Sequence, residues 1–174
     1  MHRKRPRFAV LMDVAFAAFQ AEIKAGVDRY LAEADVDAVY FGLGALNAKN
    51  PNDRARLAFL DFLTPEEFDG IILLPSARYD ASSKEILKKK FISLGDLPRI
   101  SIGPSFFGED SVCFDNEQGM RSIMRHLIED HGYRRFAYVS GPFSNAEAII
   151  RLGTYRSALE KAGIPHDNDS EFEG

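Results

Sequence analysis

Few side chains in this sequence are placed to do chemistry, and each has a structural reading beside the chemical one. Asp13 closes the apolar run Phe8–Met12. An acid at the end of a buried strand either N-caps the helix that follows or faces a cleft. Phe19 belongs to the apolar stripe of the next stretch, whereas Phe16 is offset from it and either packs structurally or lines a cleft. Arg151 lies in the first turns of another amphipathic stretch. A cation near a helix N-terminus is electrostatically unfavourable, so stability alone does not account for it. Its guanidinium can fork onto ligand hydroxyls or a carboxylate, or it can pair with Glu147 four residues earlier.

Other candidates favour structural readings. Cys113, the single cysteine, alternates inward in a strand and reads as an inert buried thiol. Glu66-Glu67 after Thr64-Pro65 fits a helix start, where the dipole favours acids. None of His2, His126, His131 and His166 has a metal-ligand spacing to cysteine or carboxylate, so no metal is expected. Gly42-Leu43-Gly44 is too short for a dinucleotide fingerprint, a phosphate loop is absent, and Ser140-Gly141-Pro142 is no nucleophile elbow. No cofactor and no catalysis are expected.

The elements that must carry these residues alternate. Phe8–Met12, Ala38–Leu43, Ile71–Leu74, Arg99–Ile102, Val112–Phe114 and Phe136–Val139 read as short buried strands. Between them run stripes at helical spacing: Phe19, Ile23, Val27 and Leu31; Leu57, Leu60 and Leu63; and a weaker one across Ser83–Leu94. Met120, Ile123, Met124, Leu127 and Ile128 form the strongest, with Gly132 at the C-cap position. Ile149, Leu152, Tyr155 and Leu159 mark the last helix, which Gly163-Ile164-Pro165 closes. Strand–helix alternation predicts an α/β fold with a doubly wound parallel sheet, whose strand carboxyl ends collect polar residues such as Asp115-Asn116.

Composition narrows the class. The chain has 174 residues, 45% hydrophobic and 28% charged, with a net charge of -4. A core of ordinary size follows, and a general nucleic-acid surface does not. The basic run from His2 to Arg7 reads as a solvated terminus. No apolar run reaches the ~18 residues of a membrane span, and the run broken at Asp13 is too short for a secretion signal. A cytoplasmic location and no membrane contact are expected.

Five segments together carry a family resemblance: Phe68-Asp69-Gly70-Ile71-Ile72-Leu73-Leu74-Pro75-Ser76, Phe114-Asp115-Asn116, His126-Leu127 through Gly132-Tyr133-Arg134-Arg135, Ser140-Gly141-Pro142, and Arg151-Leu152-Gly153-Thr154-Tyr155. In this the chain resembles the type-1 periplasmic-binding-protein superfamily, including the effector domains of lac-repressor-like regulators. The resemblance implies two lobes with a ligand cleft between them. Residues 7–116 would form the first lobe, flavodoxin-like, and 117–174 the start of a second. It places Phe16, the Pro75-Ser76 loop and Asp115 around the cleft, with Arg151 reaching in from the second lobe. A small-molecule ligand, a sugar or another metabolite, is implied. Val14-Ala15 and Ala77-Arg78 stand where sugar-binding relatives often carry polar residues. Sugar recognition needs many paired hydrogen bonds, so the apolar Val14, Ala15 and Ala77 argue against it.

With six residues ahead of the first strand, no helix-turn-helix fits, and no direct nucleic-acid contact is expected. The expectation is therefore a sensor domain of a bacterial signalling protein. Phe41-Gly42-Leu43-Gly44-Ala45-Leu46-Asn47 resembles the subset attached to sensor kinases and diguanylate cyclases. The alternative is the effector domain of a lac-repressor-family transcription regulator. A receiver-type domain or small enzyme ranks last, because Asp13 stands alone and Leu74-Pro75 end the third strand. The second lobe would be incomplete within a piece of a longer protein, and its exposed apolar edge predicts a homodimer.

Overall fold

The structure is a computed structural model describing residues 5–13, 18–44, 46, 55–74, 81–143, 145–165 and 170–173. It divides into two compact units, Met1–Cys113 and Phe114–Gly174.

The first unit is a five-stranded parallel sheet in the order β2-β1-β3-β4-β5. Its strands are β1 (Arg7–Met12), β2 (Asp37–Gly42), β3 (Gly70–Leu73), β4 (Arg99–Ile102) and β5 (Asp110–Val112). Ala9 pairs with Ile71, Val10 with Ile72, and Leu11 with Leu73. Because successive side chains point to opposite faces, these pairs build two cores at once. Ala9, Leu11, Ile71 and Leu73 join Phe41, Phe68, Leu87 and Phe91 on one face. Val10 and Ile72 meet Leu31 and Val27 on the other. Helix α1 (Ala18–Glu33) covers this second face, and α2 (Ala81–Ser93) covers the first. Helices on both faces make the sheet doubly wound, as the alternation predicts.

Three local readings change. The Leu57, Leu60 and Leu63 stripe lies on a 3₁₀ helix, Arg56–Phe62, and on the residue that ends it. A three-residue spacing is the 3₁₀ repeat, so all three leucines fall on one face and reach the core. Phe19 stands at the start of α1 and is exposed, so the buried part of that stripe is its C-terminal half. The fifth strand ends at Val112, which leaves Cys113 outside it and exposed. The expected burial of Cys113 fails because β5 is an edge strand whose residues are all exposed.

The second unit packs helix α3 (Asn116–Arg125) against α4 (Ala146–Lys161), with a two-stranded parallel sheet of β6 (Tyr138–Ser140) and β7 (Glu171–Glu173). The core gathers Met124, Ile128, Leu152, Tyr155, Leu159 and Ile164. Tyr138 stacks on Tyr155 at 4.6 Å between ring centroids. Ile149, expected in this core, is exposed, and Ala148 takes its place. The buried positions 148, 152, 155 and 159 follow the helical repeat, and Ile149 is turned about 100° away from them. Gly141 packs closely on this residue: a Cβ added at Gly141 would stand 3.3 Å from that of Ala148. Arg156 forks onto Glu171, with Nε to Oε1 at 3.1 Å and Nη2 to Oε2 at 2.5 Å, and so ties α4 to β7.

Helix α3 does not stop at Arg125. It widens into a π turn, His126–Asp130, closed by the His131 N–H donating to the His126 carbonyl at 3.3 Å. Gly132 ends it at φ +67, the left-handed conformation a C-cap glycine supplies.

Candidate functional site

In the first unit the polar residues collect at the carboxyl end of the sheet. Asp13 directly follows β1 and is only 6% exposed. Its backbone carbonyl accepts from the Gly44 N–H at 3.0 Å, just as Met12 accepts from Leu43 at 2.8 Å. The β1 and β2 exits are thereby held side by side, with Asp13 buried at that junction. Phe16, Pro75 and Ser76 lie outside the described residues.

The loop leaving β4 at the same end is held by a residue the sequence reading passed over. Glu109 accepts from the fully buried Ser101 hydroxyl, from the Phe106 N–H at 3.1 Å and from the Phe107 N–H at 2.9 Å. Burial pushes the Glu109 pKa up. The hydrogen bonds from Ser101 and from backbone N–H groups, its own and those of Phe106 and Phe107, outweigh this and hold it below the ordinary value. The two phenylalanines it fixes pack onto the core of the first unit. The hint lay in Gly103-Pro104-Ser105-Phe106-Phe107-Gly108, a turn-rich segment with two large apolar residues that must be held somewhere.

In the second unit Asp115 is the N-cap of α3, its Oδ1 accepting from the Gln118 N–H at 2.8 Å. Arg151 is half-buried in α4 and donates from Nη1 to the Asn116 Oδ1 at 2.6 Å. Asn116 in turn donates to the Glu147 carboxylate at 3.0 Å. The pairing of Arg151 with Glu147 weighed from sequence is thus mediated by Asn116, 35 residues away along the chain. Asn145 caps α4 through the Glu147 N–H at 2.9 Å, which completes a relay across the starts of both helices. Arg151 is thereby positioned on one of its nitrogens. A groove of about 590 Å³ between α3 and α4 is lined by Arg121, Arg125, Ile149, Ile150 and Lys161 among others, and Arg151 is not part of its wall.

Among the described residues, no group of three or more histidine, cysteine, aspartate or glutamate side chains is gathered for a metal. No described helix is long and apolar enough to cross a membrane.

With this geometry in hand, the chain can be compared with known proteins. No family model matches it. The repressor PurR of Vibrio atlanticus is 24% identical over 158 residues, 90% of this chain and 44% of its own length. The ribose operon repressor of Escherichia coli is 24% identical over 166 residues, 95% of this chain and 47% of its own. Among solved structures, the transcription regulator CcpA of Lactococcus lactis superposes with a TM-score of 0.73 at 24% identity, covering 98% of this chain and 59% of that one. The fold is that of the solved lac repressor and its relatives. The regulator CelR in complex with cellobiose superposes with a TM-score of 0.71 at 25% identity, covering 98% of this chain and 51% of that one. The chain spans about half the length of the lac-repressor-family repressors it matches. The parallel sheet, the α/β class and the resemblance read from the five motif segments are all borne out.

Proposed function

We propose that the chain is a small-molecule-sensing, non-catalytic ligand-binding domain of a cytoplasmic bacterial regulatory protein. Residues 7–116 serve in this reading as the first ligand-binding lobe and 117–174 as the start of the second. The observation that supports it most is the extent of the homology, since repressors align with nine-tenths or more of the chain. The same observation favours a regulator of transcription over a kinase or cyclase sensor as the whole protein. Asp13, Phe16, Pro75, Ser76, Asp115 and Arg151 are the proposed ligand contacts. Arg151 is the strongest of them, because its bond to Asn116 orients the guanidinium and lowers the entropy cost of using its remaining donors.

The ligand is a sugar or another metabolite. D-ribose and cellobiose are the first probes, suggested by the names of two relatives, and a panel of less hydroxylated metabolites follows. A ligand at 100 times its Kd stabilises by about 2.7 kcal/mol, readily seen in a melting curve. Arg151→Ala is expected to abolish that rise while leaving the ligand-free melting temperature within a few degrees. An undiminished rise in the variant, or no response to any compound in the panel, overturns the assignment. A homodimer is supported by the exposed apolar side chains of the second unit, Val139 at 70% and Phe172 at 54% on adjacent strands. A stable monomer in sedimentation would count against it.

A further inference from the structure

The π turn that ends α3 does more than terminate a helix. In an α-helix, residues five apart point about 140° away from one another. The wider turn closed between the His126 carbonyl and the His131 N–H turns those two side chains toward each other. Their Nε2 atoms stand 3.0 Å apart. Asp130, four residues after His126, accepts from the His126 Nδ1–H at 2.7 Å. With the proton on Nδ1, the His126 Nε2 presents a lone pair toward His131. Tyr133 lies parallel to the His131 ring, 10° between planes and 5.4 Å between centroids, and fixes its orientation.

In the metal-free protein the His131 Nε2–H donates to the His126 Nε2, and an ion bound by both nitrogens would take the place of that proton. The imidazole centroids are 4.5 Å apart, closer than a straight N–H···N bond at that nitrogen separation allows. The contact is therefore bent, with the two ring planes near perpendicular, and the space beside the line joining the nitrogens is open to an ion. Two imidazole nitrogens bound to one ion at about 2.05 Å stand roughly 2.9 to 3.4 Å apart when the angle at the metal runs from about 90° to about 110°. The observed separation falls in that interval. The remaining features match as well. A carboxylate on the far nitrogen of a ligating histidine is the usual support of such a site. The site also sits at a helix C-terminus, whose carbonyls favour a cation. Both rings are exposed, so water has room to complete the coordination.

We propose that His126 Nε2 and His131 Nε2 chelate one divalent transition-metal ion of the imidazole-preferring class, nickel(II), copper(II) or zinc(II), with Asp130 orienting His126. The sequence reading looked for a spacing to cysteine or carboxylate and found none; an unbroken α-helix would not have paired the histidines either. Its helical repeat separates the two histidines that the π turn brings together.

The full chain, freed of metal, is titrated with NiCl2 by calorimetry. One equivalent is expected to bind. His126→Ala and His131→Ala should each weaken it at least tenfold, and Asp130→Asn about tenfold. Nickel affinity unchanged in both histidine variants overturns the proposal. A second measurement stands whatever the stability of those variants. In a His2→Ala/His166→Ala background the only histidines are His126 and His131. Electron paramagnetic resonance of bound copper(II) should there show coupling to two imidazole nitrogens, and coupling to one or none refutes the chelate.

Discussion

Replacing Glu109 by glutamine tests whether the loop leaving β4 is held by a charge. The carboxylate accepts three hydrogen bonds, from the Ser101 hydroxyl and from the Phe106 and Phe107 N–H groups. Glutamine keeps one oxygen, which can still serve Ser101 and Phe106. It turns an NH2 toward the Phe107 N–H, so one bond is lost and two become neutral. A hydrogen bond to a charged group contributes about 1.5–3 kcal/mol and a neutral one about 1. The half-exposed setting trims the difference, leaving an expected loss of about 1–3 kcal/mol at pH 7. With a urea m-value of about 1–3 kcal/mol per molar, the denaturation midpoint should fall by roughly 1 M. The pH dependence has a definite sign. The hydrogen bonds lower the Glu109 pKa below its ordinary 4.5 in the folded protein. The carboxylate's contribution is therefore fully present above the unfolded pKa and is lost as pH falls through the folded one. Wild type and Glu109→Gln should differ most at pH 7 and converge as the pH falls below the ordinary value and through the lowered folded one. A gap that stays constant from pH 7 to pH 3 would show that the charge is not what holds the loop. A midpoint shift under about 0.2 M at pH 7 would refute the reasoning altogether.

Two further outcomes are expected. The Tyr155 hydroxyl is buried without a hydrogen-bond partner among the described residues. Tyr155→Phe, which keeps the stacking on Tyr138, should therefore raise stability by about 1 kcal/mol in urea denaturation; a clear loss would reveal a partner for the hydroxyl. Asp115→Ala should cost about 1 kcal/mol by removing the cap on the Gln118 N–H, and Asp115→Asn much less. Equal losses in the two variants would mean that the charge, not the cap, is what matters there.

Much of this protein was legible in one dimension because burial imposes a period. A strand covered on both faces must be apolar at every position, and Phe8–Met12 and Ile71–Leu74 are; strands of that kind, separated by helices, pair in parallel. Gly132 could likewise be placed at the end of α3 and its π turn, since a helix C-terminus needs a residue in the left-handed conformation. Where the period was matched to the wrong helix, as with the three-residue leucine repeat, the stripe still found the core.

What the sequence could not show depends on which elements become neighbours. The exposure of Cys113 follows from β5 lying at the sheet edge, and strand order is a property of the whole sheet. Arg151 and Asn116 are 35 residues apart and meet only because α3 packs on α4. Ser101 and Glu109 meet because their loop folds back at the end of a strand. His126 and His131 are neighbours in sequence, yet their meeting requires one extra residue in a helical turn, a departure that apolar periodicity does not record. Side-chain period is a local consequence of backbone geometry and burial, so the chain carries it everywhere. The polar constellations are contacts between elements, and only their packing brings the donors and acceptors within reach.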